Sequence, residues 1–508
     1  MRKTIATLFT IAMLSSLVSA PVAADSRPEQ WRGYWVDAFN PGIYSPAQVD
    51  KLVADAKDLN ANVLVVQVGR RFDCFCNDAL YPRTDALIDP APYDPLREVI
   101  DEAHANGLQV HAWVNATTLW NSATPPRSEE HAFNQHGPSA TGGDRWLNKR
   151  VDGAELIGSN AYIDPAHPDA VDYVVAAVDS IVENYDVDGI NLDYIRYPDY
   201  NGATFRNDWG YSDTSLARFA EETGRSDVPA PDDEQFSQWR RDQVSGLVRK
   251  IYLTMYRRDP SVRLSVNGIT YAYGPQTYGG WENTRPYSEV MQDWKGWLDE
   301  GIVDTVTAMN YKREWLPDQA QMYAEWNEAI AAYEGDRQNV IGPALYLNEV
   351  DDSLRQARAA IDADVAGWNG YSYANPSKTA VASGDQAIKD SERDKLEQAL
   401  TESLFAESAA VPEMRWKTEP VTGHVAGSVV DRTGRPLDQA SIAVFRESAG
   451  ERVGTATTDG SGWFGVVDLS PGRYRLLITE PGVTGPRAGF VTVRTGEVFT
   501  LVMRVRGG

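Results

Sequence analysis

The twelve residues VDGINLDYIRYP, Val187 to Pro198, carry the strongest local signal of chemistry in the chain. Asp188-Gly189 reads as a turn into a strand. Side-chain alternation then puts Asn191, Asp193 and Ile195 on one side and Ile190, Leu192 and Tyr194 on the other. Asp193 therefore falls near the C-terminal end of the strand, where a carboxyl group is free to give or take a proton. The plainer role for Asp193 is an ion pair with Arg196 or Arg70. Asp188, at the opposite end of the strand, reads as structural.

The elements that must hold these residues are legible from Trp31 to about Phe405, where short apolar runs alternate with longer segments of helical period. Strands are expected at Arg32–Phe39, Asn62–Val68, Gln109–Asn115 and Gly189–Ile195, then at Arg263–Gly268, Thr305–Asn310, Val340–Leu345 and Val365–Tyr373. Eight such runs, alternating with helices, match the count for an α/β fold of the closed (β/α)8 type. Ser45-Pro46 offers a helix start, and Asn106-Gly107 a stop after Pro95 to Ala105. The stripe Phe236, Trp239, Val244, Leu247, Val248 and Ile251 reads as core.

A barrel of this kind does its chemistry at the C-terminal ends of its strands. Reading those ends in order gives Asp37, Phe39 and Asn40, then Gln67, Arg70, Arg71 and Asp73, then Trp113, Asn115 and Trp120. Asp193, Arg196 and Tyr197 follow from the fourth strand, with Asn267, Tyr271 and Tyr273 from the fifth. The later strands add Asn310, Tyr311, Glu314 and Trp315, then Tyr346, Asn348 and Glu349, then Trp368, Tyr371 and Tyr373. Such a mixture suits sugar: Trp and Tyr stack on apolar ring faces, while amides, acids and arginines meet hydroxyls. Cleaving a glycosidic bond then takes one carboxyl to protonate the leaving oxygen and another to activate water or attack. The expected catalytic set is Asp193 with Glu349 and Asp73. Asp37, Arg70, Trp113, Asn115, Arg196, Tyr197, Asn267, Asn310, Tyr311, Trp315, Tyr346 and Trp368 are expected to bind substrate. Asp37 and Glu314 are further candidates for the second acid.

The motifs WRGYWVDAF, ALYPRTD, DGINLDYIRYP, WRRDQVSGLVRKIY and VTAMNY together resemble the family 10-like glycosyl hydrolases, from Trp31 to about Tyr373. The resemblance implies a retaining or inverting glycosidase barrel in which Asp193 stands as the fourth-strand acid. It also implies kinship with bacterial enzymes that cut peptidoglycan glycan strands lacking peptides. The fourth strand is distantly similar to the chitinase motif, but Ile195 stands where that motif has Glu, and Asn191 replaces one of its acids. The Asn-Glu pair of true family 10 xylanases is absent as well.

Past Pro412 helical periodicity stops, and alternating apolar runs separated by Gly, Pro and Asp turns point to a small β-sandwich. GSVVDRTGRPL, TTDGSGWF and LSPGRYRL resemble the carboxypeptidase regulatory-like (prealbumin-like) modules. Such a module implies contact with glycan or a cell-surface protein rather than chemistry. The expected division is a leader over residues 1–24, a barrel over 30–410 and a sandwich over 420–508.

The leader reading rests on Arg2 and Lys3, the apolar run Thr4 to Val18, and small residues at Val18-Ser19-Ala20 and Val22-Ala23-Ala24. It implies export, and no stable membrane insertion after cleavage. A net charge of −24 over 508 residues disfavours nucleic acid and anionic surfaces as partners. The only cysteines, Cys74 and Cys76, form either a local bridge or two free thiols. His131 and His136 read as a solvated loop pair, and neither the six histidines nor the cysteines make a metal motif, so no cofactor is expected. Two further readings stand beside the hydrolase: a barrel that holds glycan without cutting it, and a metal-dependent polysaccharide deacetylase. The second lacks the Asp and two His that its metal needs.

Overall fold

The computed structural model describes residues 28–199, 207–478 and 488–505. The expected leader lies outside them. Eight parallel strands close into a barrel: β1 (Trp31–Val36), β2 (Val63–Gly69), β3 (Gln109–Asn115), β4 (Gly189–Asp193), β5 (Arg263–Ile269), β6 (Thr305–Asn310), β7 (Gln338–Pro343) and β8 (Gly367–Tyr371). Each strand pairs with its sequence neighbours, and β8 closes on β1 with Trp35 opposite Tyr371. Asn115 pairs with Asp193 across β3 and β4, so these two side chains share one height on the inner wall.

Alternation sorts the strand residues into two cores. Inward-facing Trp31, Trp35, Val63, Val65, Trp113 and Val340 fill the barrel, with Met309, Tyr311 and Tyr371 packed against them toward the rim. Outward-facing residues such as Tyr34, Leu64, Val114, Leu192, Val266 and Trp368 merge with the helical layer. Fully burying each large apolar side chain stabilises by about 1.5–3 kcal/mol, so the outer core carries much of the stability.

The principal helices are α1 (Pro46–Asp58), α2 (Pro95–Ala105), α3 (Pro168–Asn184), α4 (Asp213–Thr223), α5 (Glu234–Arg258), α6 (Trp294–Glu300), α7 (Pro317–Ala332), α8 (Val350–Asp362) and α9 (Gln386–Thr401). Pro at the first position presets the helical dihedral in α1, α2, α3 and α7. Ser45 sits at the N-cap of α1 without a side-chain bond, whereas the Asp233 carboxylate accepts the Phe236 N–H at 2.9 Å to start α5. The stripe from Phe236 to Ile251 is buried, as core.

Two loops at the C-terminal end are built up. The β2–α2 loop is stapled by a Cys74–Cys76 disulfide, both residues buried. A long excursion between β3 and α3 forms its own small sheet from Thr118–Trp120, Leu156–Ile157 and Asn160–Tyr162. There the expected solvated histidines are instead packed: His131 lies edge-on to Trp120 at 5.0 Å and is buried, and His136 stacks on Trp146 at 3.7 Å. Asp188 is structural, accepting the Val110 N–H at 2.7 Å.

The C-terminal domain is a sandwich of two sheets, β9 (Gly423–Val430), β12 (Trp463–Leu469) and β15 (Val498–Arg504) facing β10 (Ser441–Arg446), β11 (Glu451–Thr457), β13 (Gly472–Ile478) and β14 (Ala488–Val493). It has its own core around Val425, Ile442, Phe464, Leu476 and Val491. The connecting segment crosses the N-terminal end of the barrel. Arg263 donates to the Pro412 carbonyl at 2.5 Å, and Lys417 binds the fully buried Asp304 at 2.6 Å. The sandwich is fastened by a two-pronged Arg218–Asp438 pair (2.6 and 2.8 Å), by Lys250 to Asp459 (2.9 Å) and by Arg337 to Asp468 (3.1 Å).

Candidate active site

Asp193 is the last residue of β4, facing inward and 5% exposed. One carboxylate oxygen accepts the Tyr194 N–H at 2.6 Å. Burial raises its pKa, while the Arg196 cation, the Tyr194 N–H, the Asn267 amide and the Trp113 indole pull the other way. A carboxyl held above its ordinary range is suited to deliver a proton. The chain turns sharply just past it: Tyr194 is left-handed (φ 49°), which lays its ring against the Arg196 guanidinium, 4.3 Å away. For a non-glycine residue that conformation costs about 1 kcal/mol.

Amides brace the neighbouring strand ends. Asn115 accepts from the Trp113 indole (3.0 Å) and Gln67 (3.3 Å) and donates to the Arg70 carbonyl (2.7 Å); Gln67 in turn accepts the Ala38 N–H (3.0 Å). Opposite lies an aromatic wall. Tyr311 and Tyr371 stack at 5.2 Å, Tyr346 meets Tyr371 edge-on at 5.8 Å, and Trp35 closes the floor at 6.0 Å. Burial raises both phenols, and the Asp193 carboxylate raises them further. Asp37 also acts on Tyr371, so two carboxyl groups from β4 and the end of β1 bear on one tyrosine. Asp37 is 3% exposed and is held through one oxygen by the Phe39 N–H (3.1 Å) and the Asn40 amide (2.8 Å). Its other oxygen has no hydrogen-bond partner among the described residues.

The structure gathers Asp193, Asp37, Trp113, Asn115, Arg196, Asn267, Tyr311 and Tyr346 about this centre, and disperses the rest of the expected set. Asp73 is buried in its own loop, bound to the Thr84 hydroxyl (2.7 Å) and Arg71 (3.3 Å). Glu349 is turned outward to Thr379 (2.9 Å) and Lys378 (3.8 Å). Arg70 lies beneath the Phe39 ring (5.1 Å), and Trp315 stands half exposed on the rim. Three assignments are corrected. Trp368 faces out of the barrel onto Phe405 (5.7 Å), fully buried. Asn310 also faces out, donating to the Tyr323 carbonyl (3.0 Å) and Asn327 (2.9 Å). Tyr197 is buried beside Arg240 and Gly210, off the rim.

The reason is parity: Trp368 and Asn310 are each one residue out of phase with an inward position, and side chains alternate strictly along a strand. Counting from Asn369 would have selected Tyr371, and counting from Thr307 and Met309 selects Tyr311. Phe39, expected as the last residue of the first strand, lies past the end of β1 at Val36, where strand parity no longer applies. Among the described residues, no group of three or more His, Cys, Asp or Glu is placed to hold a metal ion.

This combination, an eight-stranded barrel with inward carboxyls and aromatics at its C-terminal mouth, defines a glycosidase-type barrel. Residues 30–341 match the family model for glycosyl hydrolase-like 10, and the chain belongs to that family. Residues 424–506 match the carboxypeptidase regulatory-like domain. Glycosyl hydrolase YngK of Bacillus subtilis (strain 168) is 26% identical over 435 residues, covering 78% of this chain and 75% of that protein. Glycosyl hydrolase DigH of Escherichia coli (strain K12) is 25% identical over 279 residues, or 53% of this chain and 58% of that protein. In fold alone, the chain is similar to the catalytic domain of a β-amylase from Paenibacillus polymyxa, with a TM-score of 0.52 at 11% identity over 74% of this chain and all of that one.

Proposed function

We propose that this protein is an exported glycoside hydrolase that cleaves O-glycosidic bonds of a polysaccharide, and that peptide-free peptidoglycan glycan strands are its substrate. The observation that carries the reading is Asp193: an inward carboxyl at the end of β4, raised in pKa by burial and set against an aromatic wall. Protonated Asp193 gives its proton to the leaving glycosidic oxygen as the C–O bond breaks. Asp37 is the second carboxyl, supplying the negative charge that faces the oxocarbenium-like centre, and water completes the hydrolysis. Trp113, Tyr311 and Tyr371 wall the reacting sugar, and Asn267 meets its hydroxyls.

The glycan-binding reading without cleavage draws on one observation: Asp73 and Glu349, both expected as partner acids, are engaged elsewhere. Reducing-end release from peptide-free glycan strands, by wild type and by Asp193→Asn, separates the two. Turnover by wild type that falls about 10²–10⁴-fold in a folded variant supports the hydrolase. Binding by both proteins with turnover by neither supports the binder.

A further inference from the structure

Two aromatic rings on the rim share an architecture that the catalytic centre does not use. Phe39, just past β1, is 55% exposed, and the Arg70 guanidinium lies 5.1 Å from its ring centroid. Arg70 is itself wedged against Phe75 at 5.6 Å, donates to the Ala38 carbonyl at 2.9 Å and is under the field of Asp73. Trp315, past β6, is 47% exposed; Lys378 lies 4.8 Å from its centroid and is paired in turn with Glu349 at 3.8 Å. The Trp315 indole N–H is fixed to the Leu347 carbonyl at 3.1 Å.

Each ring thus has a cation on one face, Lys378 held in turn by Glu349 and Arg70 by the Ala38 carbonyl, with a large share of the ring's surface left to solvent. A cation over a ring face holds the ring in place at the cost of desolvating both. An exposed aromatic so supported presents a fixed apolar plate, the shape that the C–H face of a sugar ring covers. The two plates stand three strand positions apart on the eight-stranded ring. Between them, the loop after β7 carries Tyr346, which touches Tyr371 on β8 at 5.8 Å, directly beside β1.

We propose that Phe39 and Trp315 are outer sugar-stacking subsites at the two ends of this aromatic track, so that the protein engages an extended glycan chain and cuts within it. The inference rests on the hydrolase reading for its cut, but the track itself is a matter of binding. It also gives Glu349 a role: it pairs with the cation that lies against the Trp315 plate. Binding energy from sugars remote from the scissile bond then supports turnover of long chains over short ones.

The test uses peptide-free peptidoglycan glycan strands and the tetrasaccharide cut from them, with the full chain carrying Phe39→Ala, Trp315→Ala or both. The expected result is that the advantage in kcat/KM of strands over tetrasaccharide shrinks about tenfold per plate, and that Phe39→Trp and Trp315→Phe restore it. Affinity for the strands, measured in the Asp193→Asn background, should fall by the same factor, and this arm reads the track even where wild type shows no turnover. Equal losses on both substrate lengths, or unchanged affinity in the double variant, would overturn the proposal. Early products of wild type should be internal fragments of mixed length; release of one short product from chain ends overturns the internal cut.

Discussion

The two mouths of the barrel are built from similar residues to opposite ends. At the N-terminal mouth the central charges are matched: Arg263 meets the Thr305 hydroxyl, Gln338 and the Pro412 carbonyl, and Asp304 takes Lys417, the Trp416 indole and the Leu264 N–H, while His111 Nδ1 and Arg337 Nε stay without a partner among the described residues. At the C-terminal mouth, Asp37, Arg70, Asp73, Arg196 and Asn267 each keep a buried polar atom with no hydrogen-bond partner among the described residues. Unsatisfied polar groups at low exposure cost about 1–3 kcal/mol each. One end therefore commits its acid and most of its cations to closure and to seating the sandwich, and the other leaves both its acids and its cations partly unpaired at a cost in stability.

The sharpest way to break that comparison is to exchange effects between the ends. Lys417→Met leaves Asp304 buried beside its remaining donors, and a buried charge stripped of its partner costs about 3–5 kcal/mol. Thermal unfolding should show a large drop in Tm, with kcat of the folded protein near that of wild type. Asp193→Asn should do the reverse, cutting turnover about 10²–10⁴-fold while Tm stays level or rises, because it removes an acid whose burial disfavours its charge. A Lys417→Met protein that folds normally yet loses kcat would show that the two ends are coupled.

The sequence made the barrel legible because eight apolar runs of strand length recur with helices between them, and all eight observed strands begin within two residues of expectation. What periodicity could not supply was which face of each run turns inward. Asp193 was placed correctly because DGINLD alternates cleanly from a marked turn. Trp368 and Asn310 were not, because WNGY and AMNY offer aromatic or polar residues in both phases. Asp73 and Glu349 show a second limit: position after a strand says that a side chain is near the rim, but only the neighbours Thr84, Arg71, Lys378 and Thr379 show where it points.

A smaller effect is expected where the barrel meets α9, and it depends on pH. Glu397 is buried against Asp55, Arg393 and the Tyr34 hydroxyl, and burial, then the nearby Asp55 charge, raise its pKa to about 8. The folded state therefore holds this proton while the unfolded chain, with an ordinary value near 4.5, has released it. Stability contributed by Glu397 must fall as pH rises from about 4.5 to about 8, and level off above that window. Glu397→Gln should flatten the slope, raising Tm more at pH 8 than at pH 5. A slope unchanged in the variant would place the titration on another group, with Glu334, raised to about 7 by burial, next to be tried.

The smallest expected effect lies in the loop that shapes the active mouth. The Cys74–Cys76 bridge encloses a single intervening residue, so it removes little freedom from the unfolded chain, about 1–2 kcal/mol on loop-closure grounds. Both cysteines are nevertheless buried on either side of Phe75, whose ring supports Arg70 and through it Phe39. Cys74→Ser with Cys76→Ser should therefore shift Tm slightly while weakening the grip on long glycan strands more than on the tetrasaccharide. Loss of stability without that bias would assign the bridge to the loop's folding alone, and leave Phe39 held by Arg70 without its help.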